Sequence, residues 1–308
     1  MELHENQEIF NIFASLSAKH FNISIDNIKR DYFLVRALSF LVESEYGDKC
    51  VFKGGTSISK CYPNAIERFS EDIDLTYIPN SDNNKEIEKN LKSIEKIMSR
   101  GMNFKKIEIE RNQRNKSSYI WYENENNRIK LEIGSSVRPD PYSKKELKSY
   151  ILEYLEISNY YEDIKNYKLH SILINVLNIE RTFIDKIFAV KRHAICGTIT
   201  EKTRHIYDVV RLVKLKVIQK FLENKDELKT IVKKTKETDY FYLEKRKNYE
   251  YDSLKAYDFL SWKDLFMSAK SRYEKLHETI LYTDQQQKFD EAIKTFEHIS
   301  KILEEIGE

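Results

Sequence analysis

Residues 52–77 read FKGGTSISKCYPNAIERFSEDIDLTY, and this stretch holds two of the chain's seven glycines and an Asp-Ile-Asp triplet. An apolar strand ends at Phe52, Gly54-Gly55 turn the chain, and Thr56 or Ser57 is placed to cap a short helix. Such a turn aims backbone N–H groups at one point, where the helix N-terminus adds partial positive charge, which suits a triphosphate. A tight strand-to-helix turn with an ordinary cap accounts for GGTS equally well. In EDIDLTY the side chains of Asp72, Asp74 and Thr76 share one strand face, with Ile73, Leu75 and Tyr77 on the other. Two carboxylates on one face repel unless a cation lies between them, and a hard divalent ion such as Mg²⁺ takes oxygen ligands and bridges to phosphates. A solvated acidic strand edge is the alternative.

Working outward, apolar residues three and four apart predict helices in EIFNIFASLSAKHF and NIKRDYFLVRALSFLVESEY, ahead of a short strand over 49–52. A helix is expected near 84–100. Three period-two segments follow as strands: KKIEIER, SSYIWYE and RIKLEIG. In the last of these Ile129, Leu131 and Ile133 form a buried face and leave Arg128, Lys130 and Glu132 opposite. If this strand neighbours the Asp72/Asp74 strand, Glu132 joins the carboxylates; otherwise it is a surface glutamate beside a lysine. All four prolines and five of the seven glycines precede residue 142, so a mixed strand-and-turn region gives way to a helical one. Amphipathic helices are expected in ERTFIDKIFAVKRHAI and TRHIYDVVRLVKLKVIQKFL, then near 262–281 and 284–306 behind Ser261 and Thr283 as caps. The charged stretch 222–250 has no decisive period.

The composition, 41% hydrophobic and 33% charged, describes a folded globular protein. No apolar run approaches membrane-spanning length, and MELHENQEIF carries acids where a secretory leader carries bases, so a cytoplasmic protein without membrane contact is expected. Cys50, Cys61 and Cys196 lack the spacing of a zinc site or disulfide framework and read as free thiols. A net charge of +2 demands no anionic partner, but residues 186–220 hold nine Lys/Arg against two acids. That excess either attracts phosphates or forms a solvated basic helix face.

The glycine turn, short helix and Asp-x-Asp strand resemble the DNA polymerase beta-like nucleotidyltransferase superfamily. The longer string FKGGTSISKCY…RFSEDIDL resembles one branch of it, the AbiEii-type nucleotidyltransferase toxins of abortive-infection and toxin–antitoxin systems. To the general pattern it adds Lys53, Ser59, Lys60, Tyr62, Arg68, Phe69 and Ser70. FIDKIFAVKRHA and KTRHIYDV form a second matching block, which maps the family's lysine and aspartate onto Lys186 and Asp208. His205 stands where family members often carry an acid. By helical spacing alone, Asp208 reads as the centre of a surface ion-pair triplet with Arg204 and Arg211, and Lys186 as projecting from the edge of an apolar helix face.

The resemblance implies an α+β protein: a nucleotidyltransferase domain at 1–160 with a small mixed β-sheet and flanking helices, then a helical-bundle domain at 161–308 closing over the active-site cleft. It implies transfer of NMP from ATP or another NTP to an acceptor hydroxyl, with Mg²⁺ (or Mn²⁺) held by Asp72, Asp74 and Glu132. Gly54, Gly55, Thr56, Ser57 and Arg68 would bind the nucleotide, with Lys186 and Asp208 completing the catalytic set. Glu132 would serve as third ligand or as base. An RNA acceptor such as tRNA and a cognate antitoxin are the implied partners. The competing expectations are the same chemistry on a small molecule or protein, and a nucleotide- or RNA-binding protein without catalysis.

Overall fold

The computed structural model describes residues 1–244 and 258–307, with side chains described outside 238–257. The chain divides into two compact units: Met1–Cys61 with Phe69–Leu177, and Tyr62–Arg68 with Asn178–Glu308. The division falls after Leu177, not near 160. Strand pairing is the reason, because the last strand before it lies beside the strand that leads into the glycine turn.

The first unit contains a seven-stranded sheet in the order β3-β4-β5-β2-β1-β7-β6. Its strands are β1 (Cys50–Lys53), β2 (Asp72–Tyr77), β3 (Asn103–Lys106), β4 (Asn115–Trp121), β5 (Ile129–Gly134), β6 (Tyr142–Leu147) and β7 (Ile172–Leu177). The β2–β5 and β1–β7 pairs are parallel and the remaining neighbours antiparallel, so the sheet is mixed. Helices α1 (Gln7–Phe21), α2 (Ile25–Val42), α3 (Gly54–Cys61), α4 (Asn84–Met98), α5 (Tyr150–Ile157) and α6 (Tyr161–Asn166) complete the unit. Caps set where several of them begin: Ser24 accepts from the Asn27 N–H, Asn83 from Lys85, and Ser149 from Leu152. Ile73, Leu75, Ile129, Leu131 and Ile133 are all buried, as their period-two placement requires.

Two expectations need correction here. The KKIEIER segment leaves the sheet after Lys106 and tightens into a 3₁₀ turn at Glu108–Glu110. Ile109 is 95% exposed, so its apolar alternation is not matched by burial. Arg111 then folds back to grip Glu95 through 2.5 and 2.8 Å bonds, which fixes the turn. The strands β6 and β7 are not among the expected segments, and β7 lies beyond residue 160. SILINVL carries a β-branched, apolar run of strand length, and that run is the signal that marks β7.

The second unit is helical: α7 (Ile179–Ile195), α8 (Thr203–Leu212), α9 (Lys216–Glu223), α10 (Lys225–Glu244), α11 (Phe259–Met267), α12 (Lys270–Glu274) and α13 (Phe289–Glu305). The expected helix over 203–222 is broken at 213–215 into α8 and α9. Asp258, and not Ser261, caps α11 by accepting from the Leu260 N–H. The last helix begins at Phe289, six residues beyond Thr283. Residues 222–244 are helical apart from Asn224, and the rest of the 222–250 stretch, 245–250, lies outside the described residues. Phe259, Phe266, Phe289 and Phe296 pack ring on ring at the centre of α11 and α13, all 2% exposed or less. The three cysteines are free, and no described helix is long and apolar enough to cross a membrane.

Candidate active site

In the first unit the glycine turn and the aspartate strand meet. Gly54 has φ +85°, a left-handed conformation that favours glycine. A Cβ built on it would collide with Oδ2 of Asp74 and stand 3.1 Å from Cγ. Backbone conformation and close approach therefore both require glycine here, and what approaches is the Asp74 carboxylate. The first-turn N–H groups of α3, over Gly54–Ser57, have no intrahelical partner by construction and form an anion-accepting edge.

The hydroxyls of that turn face inward. Thr56 is 2% exposed, and its Oγ1 donates to the Asp72 carbonyl at 2.6 Å while accepting from the Ser70 hydroxyl at 2.9 Å. Ser57 is fully buried and donates to the Gly54 carbonyl at 3.0 Å. Thr56 fixes the turn to the strand and Ser57 closes the turn on itself, so neither hydroxyl points outward. Asp31 and Glu153, both missed by periodicity, anchor the far end of α3 through Lys60. Lys60 Nζ lies 2.9 Å from Asp31 and 3.6 Å from Glu153, and sits 3.7 Å from the centre of the Tyr150 ring. The Asp31 carboxylate also accepts from the Tyr150 N–H at 2.7 Å, which joins α2, α3 and α5.

Across the sheet, Asp74 is the Cα partner of Lys53 on β1 and of Glu132 on β5, while Asp72 is the partner of Lys130. Asp72, Asp74 and Glu132 thus share a sheet face, in adjacent rows. Lys130 Nζ holds Glu132 in an ion pair and lies 2.8 Å from Glu110 Oε2. Burial works against its charge, yet the two carboxylates outweigh this and push its ammonium well above the usual lysine range. Among the described residues, no three His, Cys, Asp or Glu side chains form a group ready to hold a metal ion. Mg²⁺ asks for less. It is ordinarily held through one or two carboxylates with waters and substrate phosphates filling its octahedron. The paired Asp72 and Asp74 beside a turn cut open by Gly54 fit that requirement, with oxygen as the only donor type.

The other assigned residues lie in the second unit. Asp208, on α8, is completely buried and receives Arg68 through Nε and Nη2 at 2.7 and 2.8 Å. Lys186 Nζ, on α7, lies 2.6 Å from the same carboxylate. Arg68 and Lys186 are 2% and 5% exposed, so Asp208 is not the centre of a surface triplet and Lys186 does not project as the edge cation that helical spacing suggests. Arg211 pairs instead with Glu67 at 2.9 Å. Burial pushes the Asp208 carboxyl up, but Arg68 and Lys186 overcome this and hold it well below the usual carboxylate range. Burial lowers the Lys186 ammonium, an effect that Asp208 opposes. His205 stacks on His193 with ring centres 6.1 Å apart, and desolvation with the nearby Lys186 charge pushes its ring well below the usual histidine range. It is neutral at pH 7, unlike the acid that family members often carry there.

A model of the family described as "Nucleotidyl transferase AbiEii toxin, Type IV TA system" matches residues 36–295. The chain belongs to the AbiEii nucleotidyltransferase toxin family. It is a nucleotidyltransferase. No curated protein sequence matches it. Among solved structures it is similar in fold to MenT4, a nucleotidyltransferase toxin from Mycobacterium tuberculosis H37Rv, with TM-score 0.55 and 14% identity over 96% of this chain and 99% of that one. JHP933 from Helicobacter pylori gives TM-score 0.48 and 16% identity over 92% and 93% of the two chains.

Proposed function

We propose that this AbiEii-family protein transfers NMP from an NTP to an acceptor hydroxyl in a reaction that requires Mg²⁺ or Mn²⁺. The observation that carries the reading is the Gly54–Asp74 approach, which brings an amide-lined turn and a carboxylate to one point with no side chain between them. Asp72 and Asp74 would hold the ion, and the first turn of α3 would hold the phosphates. The bound cation would neutralise the triphosphate and favour departure of pyrophosphate. Glu132 would be the third ligand or take the proton from the acceptor hydroxyl, once released from Lys130. In the second unit two buried cations share one carboxylate, an excess of charge suited to phosphate. Lys186 would stabilise the leaving group, with Asp208 fixing its ammonium and Arg68 fixing Asp208.

We take the acceptor to be RNA, tRNA first, in the cytoplasm, with a cognate antitoxin as protein partner. Two of the nine cations over 186–220, Lys186 and Lys191, are buried, but Lys214, Lys216 and Lys220 are exposed and suit a polyanion. The test is incubation with total cellular RNA, Mg²⁺ and each labelled NTP in turn. Label is expected in an RNA band with one preferred NTP and in none with Asp72→Ala/Asp74→Ala. Label that persists in the double variant sinks the assignment of these carboxylates.

A further inference from the structure

The carboxylate face contains a cation of its own. Lys130 is the register partner of Asp72, sits one row from Asp74, and ion-pairs with Glu132 on its own strand. Its side chain is 22% exposed, so the charge is neither buried in the core nor loosely solvated. A second acceptor, Glu110, waits 2.8 Å away at the end of the 3₁₀ turn. That turn exists because KKIEIER leaves the sheet early, and so the departure from strand geometry delivers Glu110 to Lys130.

We propose that Lys130 is a positioning residue that competes with the divalent cation for Glu132. With no metal the ammonium holds the Glu132 carboxylate, and three acids on one face tolerate each other. When a cation binds at Asp72 and Asp74, it repels the neighbouring ammonium. Lys130 then shifts its weight to Glu110, and Glu132 is released to the site. An ammonium and a divalent ion cannot both neutralise one carboxylate without repelling each other, so Lys130 sets the affinity for metal. This rests on the metal reading above, which the experiment tests separately.

The measurement is Mn²⁺ affinity, by titration calorimetry and by the electron paramagnetic resonance signal of free Mn²⁺, with a non-hydrolysable NTP analogue present. Lys130→Met should tighten Mn²⁺ binding by roughly three- to tenfold, the scale of one partly exposed charge pair and its repulsion. Lys130→Gln, which keeps a polar group at this half-buried position, should act in the same direction. Lys130→Arg should restore wild-type affinity, because it keeps the cation. Adding Glu132→Gln to Lys130→Met should abolish the gain if Lys130 acts through that carboxylate. The proposal is overturned if both neutral variants bind as wild type does, or if the gain survives in the double variant. Mn²⁺ binding indifferent to Asp72→Ala/Asp74→Ala, or absent from the wild type, would overturn the metal reading and this proposal with it.

Discussion

Asp208 is a full negative charge with no access to water, held by two cations that are themselves nearly buried. Removing its charge strands both partners, and losing one member of a buried ion pair costs roughly 3–5 kcal/mol. Asp208→Asn should therefore lower the melting temperature of the second unit markedly, as calorimetry will show. The pH dependence follows from the sign of the shift. The folded carboxyl titrates below its unfolded value, so its contribution is fully present above about pH 4 and is lost only as pH falls through the lower folded value. A melting temperature that is flat from pH 7 to 5 and falls steeply only in stronger acid is expected, with the acid limb reduced in Asp208→Asn. At Gly54 the expectation differs in kind. Gly54→Ala must pay for a left-handed backbone and displace the Asp74 carboxylate, a cost of roughly 1–3 kcal/mol that falls on the site itself. Nucleotide binding should fail well before global stability does, and an alanine variant that binds NTP as the wild type does would refute the turn's role.

Helix α3 has eight residues, too few to persist by propensity alone, so its ends must be fixed by tertiary contacts. Thr56 ties its start to β2, and Lys60 ties its end to α2 and α5 through Asp31 and Glu153. Lys60→Met should leave two carboxylates short of a partner and cost roughly 3–5 kcal/mol, read as a lower denaturant midpoint of the first unit. A midpoint within error of wild type would show that the cluster is not what anchors α3. The elements show which signals in the sequence are readable. Strands β2 and β5 are legible because Ile73, Leu75 and Tyr77, and Ile129, Leu131 and Ile133, obey period two, and β1 because it leads into a turn with two glycines. KKIEIER obeys the same period yet leaves the sheet, because its geometry is set by Arg111 reaching Glu95, a contact no local pattern encodes. The Lys60 cluster was illegible for the same reason: Asp31, Lys60 and Glu153 stand far apart in sequence. Lys186 and Asp208 read locally as surface charges, and only their family motif hinted at more.

At the scale of the whole chain, the segment Tyr62–Arg68 leaves the first unit and belongs to the helical one, which lets a residue of the glycine–aspartate motif serve the second unit's charge cluster. Arg68 grips Asp208, and Tyr207 accepts the Glu67 N–H at 3.3 Å. Composition could mark the change from strands to helices but not this exchange, because seven residues carry no compositional signal. The exchange makes the helical unit's part in turnover testable. Lys186→Met preserves volume and leaves Asp208 its two Arg68 bonds, so the unit should stay folded while one buried positive charge is lost. On the reading proposed above, turnover should fall by roughly tenfold to a thousandfold, the range for loss of a single electrostatic stabiliser of the transition state. The loss should appear in kcat more than in KM if the charge serves the departing pyrophosphate. Lys216→Ala and Lys220→Ala, at exposed positions on α9, supply the contrast. They should weaken use of an RNA acceptor at low salt, leave a small hydroxyl acceptor unaffected, and lose their effect as salt rises. Steady-state kinetics of the three variants at two salt concentrations decides the matter: wild-type kcat in Lys186→Met would confine catalysis to the residues of the first unit.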